Sequence, residues 1–377
     1  MGNYDLLIVS NGGMYLDDKN HASCPRDDAS IVSELGENGL SVVYCSHYTR
    51  SLNAGISRVR LTSKFIALRG FKLKWGYIGV IRLLLAIMRS KNVYIYYWGG
   101  VTVWAAKVCK FLHKDYDIYV RGCGYERGQR EGKTYQDVWM IEGARTIVAI
   151  SSQICVDLCF VNKHIDVIKP VMPWGGMSIY ERSFENWSSD HWIFLFVGSL
   201  IELKGIDDLV KTANILDASG MSFRLIVAGG GRMLDSLRAK QAEGQISKKV
   251  EFIGHVIDKS AIQSLYRKSD AFIFTTRSEG FGRVLLEAMS QSLPIFTTMV
   301  GGIPGFMKNE YNCLEIPVYD SAGQAEIIRK SIGDKALMAK IAANGLKTLA
   351  DVQSKSPSHV DLLLIKYNES QAISKHS

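Results

Sequence analysis

Short apolar runs alternate along this chain with longer stretches whose apolar residues recur every three or four positions. The short runs fit strands buried on both faces, and the longer ones fit helices packed against them. The pattern therefore predicts α/β units built on parallel sheets. In the first half, runs at 5–10, 40–45, 92–98, 117–121 and 146–150 predict strands, and 29–37, 101–112 and 135–143 predict helices. Pro170, Pro173, Trp174 and the pair Gly175-Gly176 interrupt the pattern, which predicts a linker over 171–190. A second strand–helix series starts at Trp192, and 356–373 predicts a closing helix. A length of 377 residues favours two domains, here 1–170 and 191–355.

The densest chemistry lies in EGFGRVLLE at 279–287. It follows the strand-like AFIFTT and opens a helix-like LLEAMSQS, so it predicts a turn at the carboxyl end of a parallel strand. Open α/β sheets bind ligands there. Gly280 and Gly282 permit a tight turn around Phe281. The backbone N–H groups near Gly282, Arg283 and Val284 then form a helix end suited to phosphate. Glu279 in the loop and Glu287 inside the helix can bracket a ligand laid across that end. Two glutamates on a surface helix would give the same spacing. The Asn11-Gly12-Gly13 loop also follows a strand, and so does Arg121-Gly122-Cys123-Gly124. Their glycines either let backbone approach a phosphate or sugar, or serve ordinary turns.

These residues resemble the retaining glycosyltransferases of family 4, whose pattern E-x7-E is matched by Glu279 and Glu287 around Gly280, Phe281 and Gly282. VGGIPG at 300–305 resembles the family's VGGIPE, with Gly305 in place of the acid. FVGSLIELKGIDDLV at 196–210 resembles the phosphate-contacting segment; Lys204 and Gly205 match, and Ser199 stands where the family often has arginine. LIVAGGGR at 225–232 and VEFIGHV at 250–256 follow in the family's order. The resemblance covers 191–330 and fades before residue 150. It implies a GT-B fold: two Rossmann-like domains facing across a cleft, with the C-terminal helix crossing back to the first. It implies a UDP- or GDP-linked sugar held mainly by the second domain. Its contacts would come from Ser199, Lys204, Gly230, Arg232, His255 and the 279–287 turn, with Gly12 and Gly13 opposite. Glu287 would take the ribose hydroxyls and Glu279 the transferred sugar. Lys204 would balance charge on the departing diphosphate. Related enzymes carry a histidine where this chain has Arg121, which makes Arg121 a third catalytic candidate. No metal or other cofactor is expected, the nucleotide sugar being a substrate; Asp207-Asp208 and the other adjacent acids read as helix caps or solvated turns.

Composition changes the picture in one place. The net charge is +8, and residues 38–114 hold thirteen basic residues and no acidic one. Phe65, Phe71, Trp75 and Tyr77 interleave with the basic residues, and YIGVIRLLLAIMRS follows, too short and too charged to span a bilayer. This predicts a face for anionic lipid carrying Arg69, Lys72, Lys74 and Trp75; a solvated surface is the alternative. No nucleic-acid motif is present. Arg127 is a candidate for an anionic acceptor. Seven scattered cysteines and an N-terminus that enters a strand directly fit a cytoplasmic protein, peripheral at the inner face of the membrane.

The sequence thus reads as a retaining transferase moving a sugar from a nucleotide diphosphate to a saccharide acceptor, lipid-linked, in surface polysaccharide assembly. A GT-B sugar-nucleotide epimerase and an inactive nucleotide-sugar-binding subunit remain as alternatives. The segment SNGGMY after the first strand departs from the dinucleotide fingerprint G-x-G-x-x-G.

Overall fold

The computed structural model describes residues 4–50, 58–68, 76–97, 99–120, 135–150, 158, 161–162, 164–168, 178–184, 191–354 and 357–376. Chain contacts divide it into two units, one of residues 1–171 with 356–377 and one of residues 172–355.

The first unit is a ten-stranded sheet in the order β10-β9-β8-β7-β1-β4-β2-β3-β5, with β6 also paired to β4. The strands are β1 Tyr4–Val9, β2 Met14–Leu16, β3 Ala22–Pro25, β4 Val42–Thr49, β5 Arg58–Arg60, β6 Lys64–Leu68, β7 Ser90–Tyr97, β8 Asp117–Val120, β9 Thr146–Ala149 and β10 Ile165–Val167. From β10 to β4 every pairing is parallel. Strand β1 shows why its apolar run is unbroken. Leu7 and Val9 point into one core and Leu6 and Ile8 into the other, because successive side chains leave a strand on opposite faces. The helices Arg26–Glu37, Gly76–Arg89, Gly100–Phe111 and Tyr135–Glu142 connect the strands.

The predicted closing helix, His359–His376, belongs to this unit. Tyr367 donates to Asp5 at 2.8 Å, Lys366 pairs with Asp166 at 2.7 Å, and the Tyr94 hydroxyl meets the His359 imidazole at 2.7 Å. Strands β2, β3, β5, β6 and β10 were not predicted. They are short, polar or basic, and three of them meet through antiparallel pairings of two or three residues. Within the basic run, two strands, Arg58–Arg60 and Lys64–Leu68, precede the helix Gly76–Arg89.

The second unit holds a six-stranded, wholly parallel sheet in the order β13-β12-β11-β14-β15-β16. Its strands are β11 Trp192–Val197, β12 Phe223–Ala228, β13 Val250–Gly254, β14 Ala271–Phe274, β15 Ile295–Thr297 and β16 Leu314–Glu315. Phe194, Phe196, Phe272, Phe274 and Phe296 are fully buried in its core. Residues 178–184, placed in the linker by the sequence reading, are held on this unit. Tyr180 N–H donates to the Ser290 carbonyl at 2.8 Å. The Arg182 guanidinium donates to the carbonyls of Tyr266 and Arg267, at 3.3 and 3.0 Å, at the end of the helix Lys259–Lys268.

Candidate active site

The chain of the second sheet runs outward from β11 through β12 to β13, then returns to the other side of β11 with β14. Connections leaving β11 and β14 at their carboxyl ends diverge, and such a switch point opens a crevice for ligands. The loop after β11 carries Lys204, at the end of the short 3-10 turn Glu202–Lys204; the loop after β14 carries Glu279. Hydrogen bonds join the two loops. The Arg277 N–H donates to the Leu203 carbonyl at 2.8 Å, the Thr276 hydroxyl donates to the same carbonyl at 3.2 Å, and the Thr275 hydroxyl donates to the Gly205 carbonyl at 3.0 Å. Gly205 has φ +62°, and a Cβ there would stand 2.0 Å from the Thr275 carbonyl oxygen. Glycine alone permits both the left-handed backbone and this approach.

At the junction, Lys204 Nζ donates to Glu279 Oε2 at 2.6 Å, with only 19% and 18% of the two side chains exposed. The other Glu279 oxygen accepts the Gly280 N–H at 3.0 Å. Arg277, which sequence reasoning missed, ties the two loops together. Its guanidinium bonds Asp208 at 2.8 and 3.0 Å and Asp207 at 2.7 Å, and lies 4.4 Å from the Tyr319 ring centroid. Asp207 and Asp208 are therefore partners of an arginine. Nothing in the local sequence signals this, since 69 residues separate Arg277 from Asp208.

The 279–287 turn forms as expected. Gly282 takes φ +82° immediately before the helix Arg283–Ser290. Phe281 is buried beneath the turn and stacks on Phe306, with centroids 4.5 Å apart. The Gly302 N–H donates to the Glu279 carbonyl at 3.0 Å, so the VGGIP segment supports the acidic loop. Glu287 is buried and accepts the Tyr266 hydroxyl at 2.5 Å. Its burial raises its pKa, while the Tyr266 hydrogen bond and the nearby Arg283 charge pull it back only partly.

The other expected donor contacts gather at neighbouring strand ends. Ser199 lies exposed in the loop after β11. The Leu200 N–H donates to the Gly230 carbonyl at 2.9 Å, joining the exits of β11 and β12. His255, just past β13, is exposed beside Gly230. Arg232 is paired with Glu202, so its charge sits on the turn that carries Lys204. A hollow of about 590 Å³, lined by His191, Arg224, Arg238 and Lys249 among others, lies at the opposite, amino-terminal strand ends.

In the first unit, Gly12 and Gly13 follow β1 at a second switch point, between β7 and β4. The Gly12 N–H donates to the Ser10 hydroxyl at 3.0 Å, and Arg58 donates to the Gly13 carbonyl at 3.1 Å. The His47 imidazole, also missed, stands beside Gly13. Burial and then the Arg58 charge hold its pKa below the ordinary histidine value. Arg121, Arg127, Arg69, Lys72, Lys74 and Trp75 lie outside the described residues.

Two parallel sheets, a C-terminal helix returned to the first unit, and acidic and basic groups joined at a switch point define a GT-B protein. Solved structures agree over nearly the whole chain. Sucrose-phosphate synthase from Thermosynechococcus elongatus superposes with a TM-score of 0.68 at 17% identity, covering 99% of this chain and 100% of that one. Anabaena HepE, in complex with UDP-glucose, gives 0.68 at 16% identity, covering 98% and 99%. Residues 180–348 match the glycosyl transferases group 1 family. The capsular polysaccharide biosynthesis glycosyltransferase CapM of Staphylococcus aureus is 29% identical over 181 residues, 48% of this chain and 46% of that protein. The lipopolysaccharide core biosynthesis glycosyltransferase LpsE of Rhizobium meliloti is 25% identical over 188 residues, 50% and 53% of the two. The chain thus aligns with about half the length of these curated relatives.

Proposed function

We propose that this protein is a retaining glycosyltransferase that moves a sugar from a nucleotide diphosphate to a hydroxyl of a lipid-linked saccharide in polysaccharide assembly. The observation that carries the reading is the Lys204–Glu279 contact of 2.6 Å at the switch point of the second sheet. In the free protein the two charges satisfy each other. A bound donor replaces that contact from both sides, its diphosphate taking Lys204 and its sugar hydroxyls donating to Glu279. As the glycosidic bond breaks, charge grows on the diphosphate, and a cation already in place lowers the barrier without reorganisation. Glu287 accepts the ribose hydroxyls. The UDP-glucose bound to HepE supports a uridine donor, and the printed roles of CapM and LpsE support a polysaccharide acceptor.

The acceptor side rests on the helix Gly76–Arg89. Ile78, Ile81, Leu85 and Met88 are exposed along it, spaced three or four residues apart, while Leu83, Ala86 and Ile87 face the core. The neighbouring helix Gly100–Phe111 exposes Trp104 and Phe111. An apolar stripe of this kind marks an interaction surface. Its setting, residues 38–114 without one acidic side chain, suits the anionic face of a membrane. Among the described residues no helix is long and apolar enough to cross a membrane; the attachment proposed here is to the membrane surface.

The test is a thermal-shift panel of UDP- and GDP-linked sugars, followed by product analysis with the stabilising donor. A true donor at about 100 times its Kd adds roughly 2.7 kcal/mol. Turnover to a transferred product supports the transferase. Formation of an epimer without acceptor supports the epimerase, and binding without turnover the inactive subunit.

A further inference from the structure

Glu287 occupies an unusual place for a ligand-binding carboxylate. It is 4% exposed, inside the helix Arg283–Ser290. A buried carboxylate normally takes a cation or a proton. Glu287 instead accepts a neutral phenol, Tyr266, at 2.5 Å. Tyr266 is completely buried, packs its ring 5.6 Å from that of Phe272, and has its carbonyl held by Arg182. A phenol has one proton to donate and a carboxylate has about four acceptor sites on two oxygens. Donation from Tyr266 therefore occupies one site on Oε2 and fixes the plane of the carboxylate. It leaves the net negative charge intact, which a lysine or arginine in that position would cancel.

We propose, resting on the reading of Glu287 as the ribose acceptor, that Tyr266 is its positioning residue: it orients the carboxylate and keeps it ionised so that both ribose hydroxyls can donate to it. The charge balance supports the second part. Burial favours the protonated form of Glu287, and the opposing influences are the Tyr266 hydrogen bond and the charge of Arg283 on the same helix. Tyr266 does not surrender its own proton, because burial and the Glu287 charge raise its pKa far above the ordinary tyrosine value.

Tyr266→Phe keeps the ring and removes the donor. The experiment compares the wild-type chain, Tyr266→Phe and Glu287→Gln by calorimetric titration with UDP and GDP from acid to alkaline pH, with donor KM and kcat measured in parallel. For Tyr266→Phe, binding of the cognate nucleotide should weaken about tenfold at neutral pH. The loss should fall on KM rather than kcat, and the acid limb of binding should move to higher pH because Glu287 protonates more readily. Glu287→Gln should weaken binding and abolish that limb. A chain carrying 3-fluorotyrosine at 266, a stronger donor with nearly the same shape, should move the limb to lower pH; this holds the test open if Tyr266→Phe fails to fold. Wild-type affinity and pH profile in Tyr266→Phe, with Glu287→Gln impaired, would overturn the positioning role and leave the ribose reading standing. An unimpaired Glu287→Gln would remove the ribose reading itself.

Discussion

Lys204 and Glu279 are 75 residues apart in sequence and 2.6 Å apart in space. Each was legible beforehand because each sits in a recognisable loop; their contact was not. Lys204→Ala should lower kcat by ~10²–10³, the usual cost of losing a preorganised donor to developing charge. Turnover near the wild-type rate with the identified donor would place the diphosphate elsewhere. Glu287 makes a different prediction, about stability. Its folded pKa is raised, so between the unfolded carboxylate value and the folded value the native chain binds more protons than the unfolded one. Stability therefore falls as pH rises through that window and stays lower above it. Glu287→Gln, which is neutral throughout, should flatten this part of the pH–stability curve and match or exceed the wild-type melting temperature at pH 7, while binding nucleotide poorly. A lower melting temperature at every pH would show that the charge stabilises the fold.

At the scale of elements, the two loops of the site act as one structure. Thr275, Thr276 and Arg277 bond the loop after β14 to the turn Glu202–Lys204 and to Asp207 and Asp208 beyond it. Gly205 is the closest point of that seam. Gly205→Ala would meet the Thr275 carbonyl at 2.0 Å in a left-handed conformation. It should cost more than ~2 kcal/mol, seen as a lower midpoint in urea, and should separate Lys204 from Glu279. An unchanged midpoint would mean that the loops can part freely. The strands β11, β12, β14 and β15 were legible because continuous apolar runs between glycine-rich turns admit no other burial. Strands β2, β3 and β5 were not, because each is specified by a partner strand rather than by its own few residues. The strap at 178–184 reads as linker for the same reason. Its order comes from Ser290, Ser292 and the end of the Lys259–Lys268 helix.

At the scale of the molecule, the first unit carries the surface chemistry. A helix whose one side enters the core through Leu83, Ala86 and Ile87 while Ile78, Ile81, Leu85 and Met88 face solvent should seek an apolar phase. Each basic residue near an anionic bilayer adds ~1 kcal/mol. The chain should co-sediment with vesicles rich in anionic lipid, less so at high salt. Replacing Ile81 and Leu85 with serine, or Arg69, Lys72 and Lys74 with glutamate, should release it and slow transfer to a lipid-linked acceptor, with donor hydrolysis little changed. Equal recovery on neutral and anionic vesicles would make the basic run a solvated face, and a concentration-dependent dimer lost on the serine changes would assign the stripe to a second copy.

The sequence by itself determined the two α/β units, the closing helix, the loops that hold Lys204 and Glu279, and the helix that holds Glu287. These follow from local periodicity and from glycine-bearing turns, which act over a few residues. Only the tertiary structure decided which side chains meet: Lys204 with Glu279, Arg277 with Asp207 and Asp208, Tyr266 with Glu287, the VGGIP segment beneath the acidic turn. Sheet order brings those partners together from 21 to 75 residues away. A contact set by the order of strands leaves no periodic trace in the chain, because each partner's local pattern would read the same wherever its strand lay in the sheet.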